Sequence, residues 1–281
     1  MDSPSTEISI TKILPDIPGI NNIPRTLDLE PFPHKHLMEF LKPDLYDDLC
    51  QLFNEVLARG ILLPSDPFEP DKFKGFTYGF DAAFWQPPPD FGYPINEFYS
   101  SKWIEFFSKL FDVPLSYDIS LTFHHQRFNS KPFAAHTDYC VVGMSKRFFF
   151  NKKVRQHYFD TPYFIKDETE GKRLNLSVQM RSVVGIFYLN NPPWHEVNGG
   201  ETGLYDSYES FTLGNPVKKI PPISNSLLTF ETTPNSFHTY LPNRAKVRNT
   251  MIFWLHTPIK QKINRFQGEL PTEYSYARYT K

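Results

Sequence analysis

The chain has 281 residues, a formal net charge of -1 and 16% aromatic residues, including 27 Phe and 15 Tyr. This composition is sufficient for a sizeable core, and the balanced charge gives no basic field, so we expect no nucleic-acid partner. Two cysteines, no apolar run of about 18 residues and no visible secretory signal predict a cytoplasmic protein without a membrane partner.

The first part of the chain predicts an arm followed by two helices. Residues 1–33 are polar and rich in proline, so we expect an extended N-terminal arm on the surface. Apolar residues then recur with helical spacing from Pro43 to Arg59, and again from about Ile95 to Phe111. The intervening residues 61–94 predict a long loop with a short strand around Phe73 to Phe80.

After Pro114 the sequence changes to short β-branched or aromatic runs separated by Gly, Pro and Asn. The pattern indicates a mostly β fold, either an antiparallel sandwich or a jelly roll, with the N-terminal helices packed on one sheet. We therefore expect one domain over 34–281, with helical and loop support at 34–115 and a β core at 116–257. The runs cover 116–128, 133–143, 178–190, 200–206, 226–231, 236–241 and 246–257.

Residues 144–175 interrupt this core with a charged and aromatic stretch. Long insertions inside a domain are usually functional lids or disordered loops. Because this one begins just after His136 and Asp138, we expect a lid-like insertion over a site at those residues. The alternative is a solvated excursion that contacts nothing.

His136 and Asp138 form a candidate metal-binding pair. In a β-strand, side chains two residues apart project from the same face, so one cation could contact both. A third ligand is needed, and His238 is the candidate because it opens a predicted strand after the apolar strand 227–230. The remaining histidines favour surface or structural roles, and adjacent His124 and His125 face opposite sides of a strand. A strand histidine is more often a core residue than a ligand, so His238 needs independent support.

Arg248 supplies that support. It shares a strand face with Thr250, and a buried guanidinium beside a hydroxyl is unfavourable unless it meets an anion. A guanidinium fork and a threonine hydroxyl together make a good receptor for a carboxylate. A short strand–turn–strand would place this receptor near His238.

At these residues the chain resembles a known family. His136-Thr137-Asp138, His238 and Arg248-Asn249-Thr250 are similar to the Fe(II)/2-oxoglutarate-dependent dioxygenases. The stretch from Arg181 to Asn190, which ends in Tyr-Leu-Asn, and the Gly-Gly-Glu-Thr run from Gly199 are similar to the prolyl-4-hydroxylase-like branch. The resemblance covers roughly residues 116–257. The chain departs from the compact members of the family in the longer separation between Asp138 and His238, for which the 144–175 insertion accounts.

The resemblance implies a double-stranded β-helix (jelly-roll) fold and a site built from two groups of residues. His136, Asp138 and His238 would be the catalytic metal ligands for Fe(II), a facial triad that leaves three coordination positions open. Arg248 and Thr250 would bind the distal carboxylate of 2-oxoglutarate, with Tyr188 as a further hydrogen-bond donor. The enzyme would use O2, with ascorbate as a supporting reductant. Asp138 argues against halogenation, because halogenating relatives carry a small residue there.

The implied function is hydroxylation of an unactivated C–H bond, with succinate and CO2 as co-products. The first expectation for the substrate is a small molecule: an amino acid, an acyl derivative or a natural-product intermediate. A protein side-chain hydroxylase of the prolyl type is the alternative, favoured by the Tyr-Leu-Asn and Gly-Gly-Glu-Thr signatures. A non-catalytic jelly-roll binding module is the third interpretation. Desaturation or ring formation by the same chemistry stays open, as does the oligomeric state.

Overall fold

A computed structural model describes residues 7–10, 12, 14–17, 19–75, 81–132, 136–145, 163–164, 169 and 176–269. No helix in this part of the chain is both long and apolar enough to cross a membrane. The helices are α1 (Pro43–Ala58), α2 (Ser101–Phe111), α3 (Tyr208–Thr212) and α4 (Ile259–Arg265). The strands are β1 (Glu7–Ser9), β2 (Thr26–Asp28), β3 (His34–Leu37), β4 (Ile61–Leu62), β5 (Phe73–Gly75), β6 (Ala83–Trp85), β7 (Ile119–Arg127), β8 (Val141–Ser145), β9 (Tyr163–Phe164), β10 (Leu176–Tyr188), β11 (Thr202–Tyr205), β12 (Lys218–Ile220), β13 (Ser226–Glu231), β14 (Phe237–Tyr240) and β15 (Val247–Thr257).

Two sheets form the core. The major sheet has the order β1-β2-β3-β13-β10-β15-β7-β6-β5-β4, with β8 and β9 attached beside the first half of β10. The minor sheet has the order β12-β11-β14. β10 lies at the centre because its apolar run is buried on both faces, as expected for an interior strand. This mostly β jelly roll confirms the predicted fold class.

Helices α1 and α2 cover the outer face of the major sheet. Helix α1 has Pro43 in its first turn, and Gly60, just after its C-terminal end, has a φ of 96°. It buries one apolar stripe, and α2 packs Trp103 and Phe107 against Phe253 of β15 at ring distances of 5.6 and 5.2 Å. The predicted packing of both helices on one sheet is confirmed. The buried stripe of α1 consists of Leu45, Leu49, Phe53 and Val56.

The inner faces of the two sheets enclose a second, smaller apolar cluster. Val184, Ile186 and Tyr188 of β10 pack there with Leu228 and Phe230 of β13. Leu204 of β11 joins from the minor sheet, and Ile252 and Trp254 of β15 are partly buried beside it. Alternation along each strand therefore separates helix-facing residues from residues that face the interior of the jelly roll. The candidate site lies on this inner side.

The N-terminal segment contributes strands to the major sheet. Antiparallel pairing joins β1 to β2, and β3 to β13. Lys218 of the minor sheet contacts Asp28 of β2 at 2.8 Å, which ties the arm to the second sheet. The sequence did not predict this pairing, because strands of three or four residues in a polar, proline-rich segment show little hydrophobic pattern. The division into an arm at 1–33 and a domain at 34–281 stays a prediction.

Most of the 144–175 insertion lies outside the described residues, and so does the predicted lid. Tyr163–Phe164 is described, and its backbone pairs antiparallel with Val142 and Gly143 of β8. This short strand therefore returns to the segment that directly follows His136 and Asp138.

Candidate functional site

His136 and His238 lie directly opposite each other. Their backbones form an isolated antiparallel bridge, with N–H···O distances of 3.3 and 3.0 Å. The imidazole ring centroids are 4.5 Å apart. His238 is 4% exposed, and the edge of the Phe230 ring packs on it at 4.7 Å. The fold thus brings together two histidines that are about a hundred positions apart in sequence.

Asp138 reaches the same point through a turn, and the expected strand geometry of His136 and Asp138 is wrong. Strand β8 begins only at Val141, and Asp138 has φ 55°, in the left-handed region. The Thr137 hydroxyl accepts a hydrogen bond from the Tyr139 N–H at 3.3 Å, and the Cys140 N–H donates one to the Asp138 carbonyl at 2.9 Å. A hydroxyl-stabilised turn therefore aims the carboxylate, and strand alternation has no part in it.

Three side chains converge as a candidate metal site. Atom Oδ2 of Asp138 lies 3.9 Å from Nε2 of His136 and 3.6 Å from Nε2 of His238. One ligand atom from each residue falls within 4.8 Å of the others, and these three residues form the group found in the described part of the chain. Two imidazole nitrogens and one carboxylate oxygen are the donor set that non-haem Fe(II) favours.

The protonation states suit a cation. Burial and the neighbouring His136 lower the pKa of His238 to about 4, so its imidazole is neutral at neutral pH. Burial raises the pKa of the Asp138 carboxyl, but Arg181, both histidines and the Trp254 hydrogen bond outweigh it and bring the pKa to about 2. Neutral imidazole and ionised carboxylate are the forms that bind metals.

A backbone hydrogen bond also fixes the tautomer of His238. Its Nδ1 lies 3.0 Å from the backbone oxygen of Ser236, which can only accept a hydrogen bond. The proton therefore resides on Nδ1, and the lone pair of Nε2 points towards Asp138. A backbone partner of this kind orients a metal-binding histidine.

Arg248 lies on the inner side of β15 as a buried charge. Its Nε donates to the Gly200 carbonyl at 2.6 Å, its Nη1 to Oε1 of Gln126 at 2.7 Å and its Nη2 to Oγ1 of Thr202 at 3.0 Å. All three acceptors are neutral, and no carboxylate among the described residues lies within the 4.0 Å ion-pair distance. Burial lowers the pKa of Arg248, yet a guanidinium stays protonated at neutral pH. An anionic ligand would supply the missing counter-charge.

Thr250 and Tyr188 lie beside Arg248. Thr250 is 0% exposed, and its Oγ1 has no hydrogen-bond partner in the part of the chain that the structure describes. Tyr188 is directly opposite Thr250 on β10; its hydroxyl bonds Oγ1 of Thr202 at 2.7 Å, and its ring lies 5.4 Å from Cζ of Arg248. A buried hydroxyl without a partner is unfavourable, and a ligand carboxylate would satisfy it. The residues therefore fit a bound dicarboxylate.

Other histidines and aromatic residues of the sequence lie away from the three candidate metal ligands. His125 bonds Asn249 at 2.8 Å on the helix side of β7, whereas His124 pairs with Thr250, so the two do face opposite sides. Phe73 and Trp85, from the segment 61–94, are fully buried in the outer core. His157 lies outside the described residues.

Four residues of the site were missed from the sequence: Gln126, Arg181, Thr202 and Trp254. Arg181 and Trp254 hold the Asp138 carboxylate, while Gln126 and Thr202 hold Arg248. Strand periodicity could have found Trp254, which lies six residues after Arg248 and thus on the same face. The signal for Arg181 was a charged residue two positions before the apolar run 183–189.

Comparison with known proteins finds similarity over part of the chain. The model described as the 2OG-Fe(II) oxygenase superfamily matches residues 157–256. Prolyl 3-hydroxylase OGFOD1 from Xenopus laevis is 34% identical over 101 residues, which are 35% of this chain and 18% of that protein. The match thus spans under a fifth of the length of this curated relative. The family match contains His238, Arg248 and Thr250 and begins after Asp138.

Two solved structures are similar to this chain, and the one with the higher TM-score supports the fold. A prolyl hydroxylase from Trichoplax adhaerens, in complex with a hypoxia inducible factor oxygen degradation domain peptide fragment, matches with a TM-score of 0.51 and 16% identity, over 84% of this chain and 87% of that one. A Pseudomonas putida prolyl-4-hydroxylase matches with a TM-score of 0.49 and 16% identity, over 79% of this chain and 91% of that one. The resemblance inferred from the sequence, to the 2OG-Fe(II) oxygenases and their prolyl-4-hydroxylase-like branch, is confirmed by the superfamily model that matches residues 157–256 and by the prolyl 3-hydroxylase relative.

Proposed function

We propose that the chain is an Fe(II)- and 2-oxoglutarate-dependent dioxygenase that hydroxylates an unactivated C–H bond, with succinate and CO2 as co-products. The observation that carries this proposal is the convergence of His136, Asp138 and His238 in the interior of the jelly roll, where Arg248 is buried with no carboxylate partner among the described residues. The family is defined by its use of Fe(II), 2-oxoglutarate and O2.

Each group of residues has a distinct task in this proposal. His136, Asp138 and His238 hold the metal, and Arg248 and Thr250 bind the distal carboxylate of 2-oxoglutarate. Bound Fe(II) with 2-oxoglutarate supplies the activation of O2, a chemistry that belongs to the cofactor rather than to a protein acid or base. Tyr188 and Thr202 keep the Arg248 guanidinium oriented, and Phe230 excludes water from the inner side of His238.

Two substrate classes remain in the proposal. The sequence favours a small metabolite, because the insertion after Tyr139 adds a segment next to the site. The Xenopus relative, named a prolyl 3-hydroxylase, supports a protein side chain at least as well. We therefore propose hydroxylation of a peptidyl side chain as the alternative of equal standing.

A turnover screen tests the activity. Purified protein with Fe(II), ascorbate and 2-oxoglutarate is offered amino acids, acyl derivatives and proline-containing peptides, and succinate and a substrate mass gain of one oxygen are measured. Turnover confined to peptides would select the prolyl-type alternative, and turnover confined to free metabolites would select the other. Absence of succinate above the substrate-free level with every class would contradict the proposed activity.

Variants test the two groups of residues separately. His136→Ala, Asp138→Ala and His238→Ala should lose Mn(II) binding, measured by electron paramagnetic resonance as a redox-stable substitute for Fe(II). Arg248→Ala should retain Mn(II) but lose 2-oxoglutarate affinity in calorimetry. His195→Ala and Arg244→Ala, both on exposed loops, are the matched controls. Full metal binding by Asp138→Ala would overturn the ligand assignment.

A further inference from the structure

The Asp138 carboxylate is held by two donors that are not metal-ligand candidates. Nη1 of Arg181 donates to Oδ1, and Nε1 of Trp254 donates to Oδ2 at 3.0 Å. Arg181 is 6% exposed and Asp138 is 2% exposed, so water competes little for either group. In the described part of the chain, the carboxylate receives its hydrogen bonds from these two side chains.

The two donors make the carboxylate oxygens unequal. Oδ1 is engaged by the guanidinium, whereas Oδ2 faces Nε2 of both histidines. A carboxylate free to rotate could offer either oxygen, or both together. Held as it is here, it presents one oxygen, which leaves a facial triad with three positions for other ligands.

Arg181 is itself fixed by its surroundings. Its Cζ lies 4.2 Å from the centroid of the Trp254 ring, a cation–π contact, and its backbone N–H donates to the Cys140 carbonyl at 3.2 Å. The register of β10 against β15 shifts between Arg181 and Val183. Such a bulge re-aims side chains next to a site, and here it turns Arg181 towards the interior.

Neighbouring residues hold the bulge in place. The Thr232 hydroxyl donates to the Arg181 carbonyl at 2.7 Å. Lys262 of α4, 1% exposed, donates to the backbone and hydroxyl oxygens of Ser182, both at 3.2 Å, and to Glu231 at 3.0 Å. Two segments, the end of β13 and α4, therefore hold the backbone of Arg181 and Ser182 in place.

We propose that Arg181 and Trp254 are positioning residues that fix the Asp138 carboxylate so that it binds the metal through a single oxygen. This inference rests on the proposed metal site, and it concerns the geometry of that site rather than its existence. Residues that orient metal ligands in this way typically change metal affinity by about 10–100-fold when they are lost.

A competing role gives a different result. If Arg181 acted only as a counter-charge, its removal would make Asp138 a more basic and more attractive ligand, so metal affinity would stay equal or rise. If it positions the carboxylate, its removal should lower affinity by about 10-fold or more. Arg181→Gln and Arg181→Lys separate the two roles, because lysine keeps the charge but loses the planar, stacked fork.

The experiment measures Mn(II) affinity of the full chain by electron paramagnetic resonance, without 2-oxoglutarate. We expect weaker binding by Arg181→Gln, partial recovery by Arg181→Lys and weaker binding by Trp254→Phe, which retains a ring but lacks the N–H. Trp85→Phe, which loses an indole hydrogen bond to Pro70 in the outer core, and Arg244→Gln are the matched controls. Circular dichroism spectra check that each variant is folded.

A spectroscopic measurement separates positioning from general loosening of the structure. In the Co(II)-substituted protein, the ligand-field bands report coordination number, and a carboxylate that binds through both oxygens should change their energy and intensity. We expect this change in Arg181→Gln, which releases Oδ1, but not in Arg244→Gln. Wild-type affinity and spectrum in both Arg181→Gln and Trp254→Phe would overturn this inference, whereas failure of the wild-type chain to bind Mn(II) would overturn the proposed function.

Discussion

Thr202 joins Arg248 to Tyr188 through a single hydroxyl. Its Oγ1 accepts from Nη2 of Arg248 at 3.0 Å and lies 2.7 Å from the Tyr188 hydroxyl. The hydroxyl thus connects the minor sheet, which carries Thr202, to β10 and β15 of the major sheet. Thr250, the other threonine near Arg248, has a buried Oγ1 with no hydrogen-bond partner among the described residues. The two threonines should therefore respond in opposite ways to the same substitution.

Thr202→Val should destabilise the ligand-free protein by about 1–3 kcal/mol, since two buried polar groups lose a hydrogen-bond partner. The Arg248 guanidinium should also become less well oriented, so 2-oxoglutarate affinity should fall. Urea unfolding and calorimetry measure the two effects. Unchanged stability would mean that Arg248 and Tyr188 find other partners.

Thr250→Val should leave the ligand-free protein equally stable or up to about 1 kcal/mol more stable, because it removes an unsatisfied buried hydroxyl at nearly constant volume. Its affinity for 2-oxoglutarate should fall by about 10- to 150-fold, the value of one lost hydrogen bond of about 1.5–3 kcal/mol to a charged group. Mn(II) affinity is the internal control and should not change. A variant that is destabilised but binds 2-oxoglutarate as the wild type does would contradict the assignment of Thr250.

The sequence predicted the elements whose pattern is long. The helix from Pro43 and the strands from β10 to β15 that surround the site carry clear periodicity, with the exception of the three-residue β12. His136, Asp138, His238 and Arg248 were found because their chemistry is unusual for a strand. The strand assumed for Asp138 was wrong, since a side-chain hydroxyl set the local turn.

Contacts between distant strands could not be predicted. Trp254 lies 116 residues from Asp138, and Thr202 lies 46 residues from Arg248. Periodicity gives the face on which a residue lies, but not its opposite neighbour on another strand. Register decides that neighbour, and the bulge after Arg181 shifts it by one residue.

The ion pair between Asp28 and Lys218 predicts a pH dependence of stability. Burial raises the pKa of Asp28, but hydrogen bonds from Lys218 and Lys35, with their charges, outweigh it and lower the pKa to about 2 from 3.8. A carboxyl with a depressed folded-state pKa stabilises the protein above about pH 4 and loses that contribution as pH falls towards 2. After allowance for its partial exposure, we expect about 1–2 kcal/mol.

Urea unfolding of the wild type and Asp28→Asn at several pH values measures this contribution. The stability difference should be largest near pH 6 and should shrink steadily below about pH 4. Lys218→Met should reduce this pH dependence, whereas Lys219→Met, at the exposed neighbouring position of β12, should not. A difference that stayed constant down to about pH 2 would show that Asp28 titrates normally.

Gly185 in β10 is required by the packing of the helices on the sheet. A Cβ at this position would overlap the Phe253 ring of the neighbouring strand, which Trp103 and Phe107 hold from the other side. Gly185→Ala should therefore destabilise the protein by about 1–3 kcal/mol through overpacking.

Adding Phe253→Leu should recover part of this loss, because the smaller side chain makes room, and the double-mutant cycle should show favourable coupling between the sites. Gly75→Ala in β5, where the nearest atom is 3.5 Å away, is the matched control. Additive effects of the two substitutions would contradict the steric explanation.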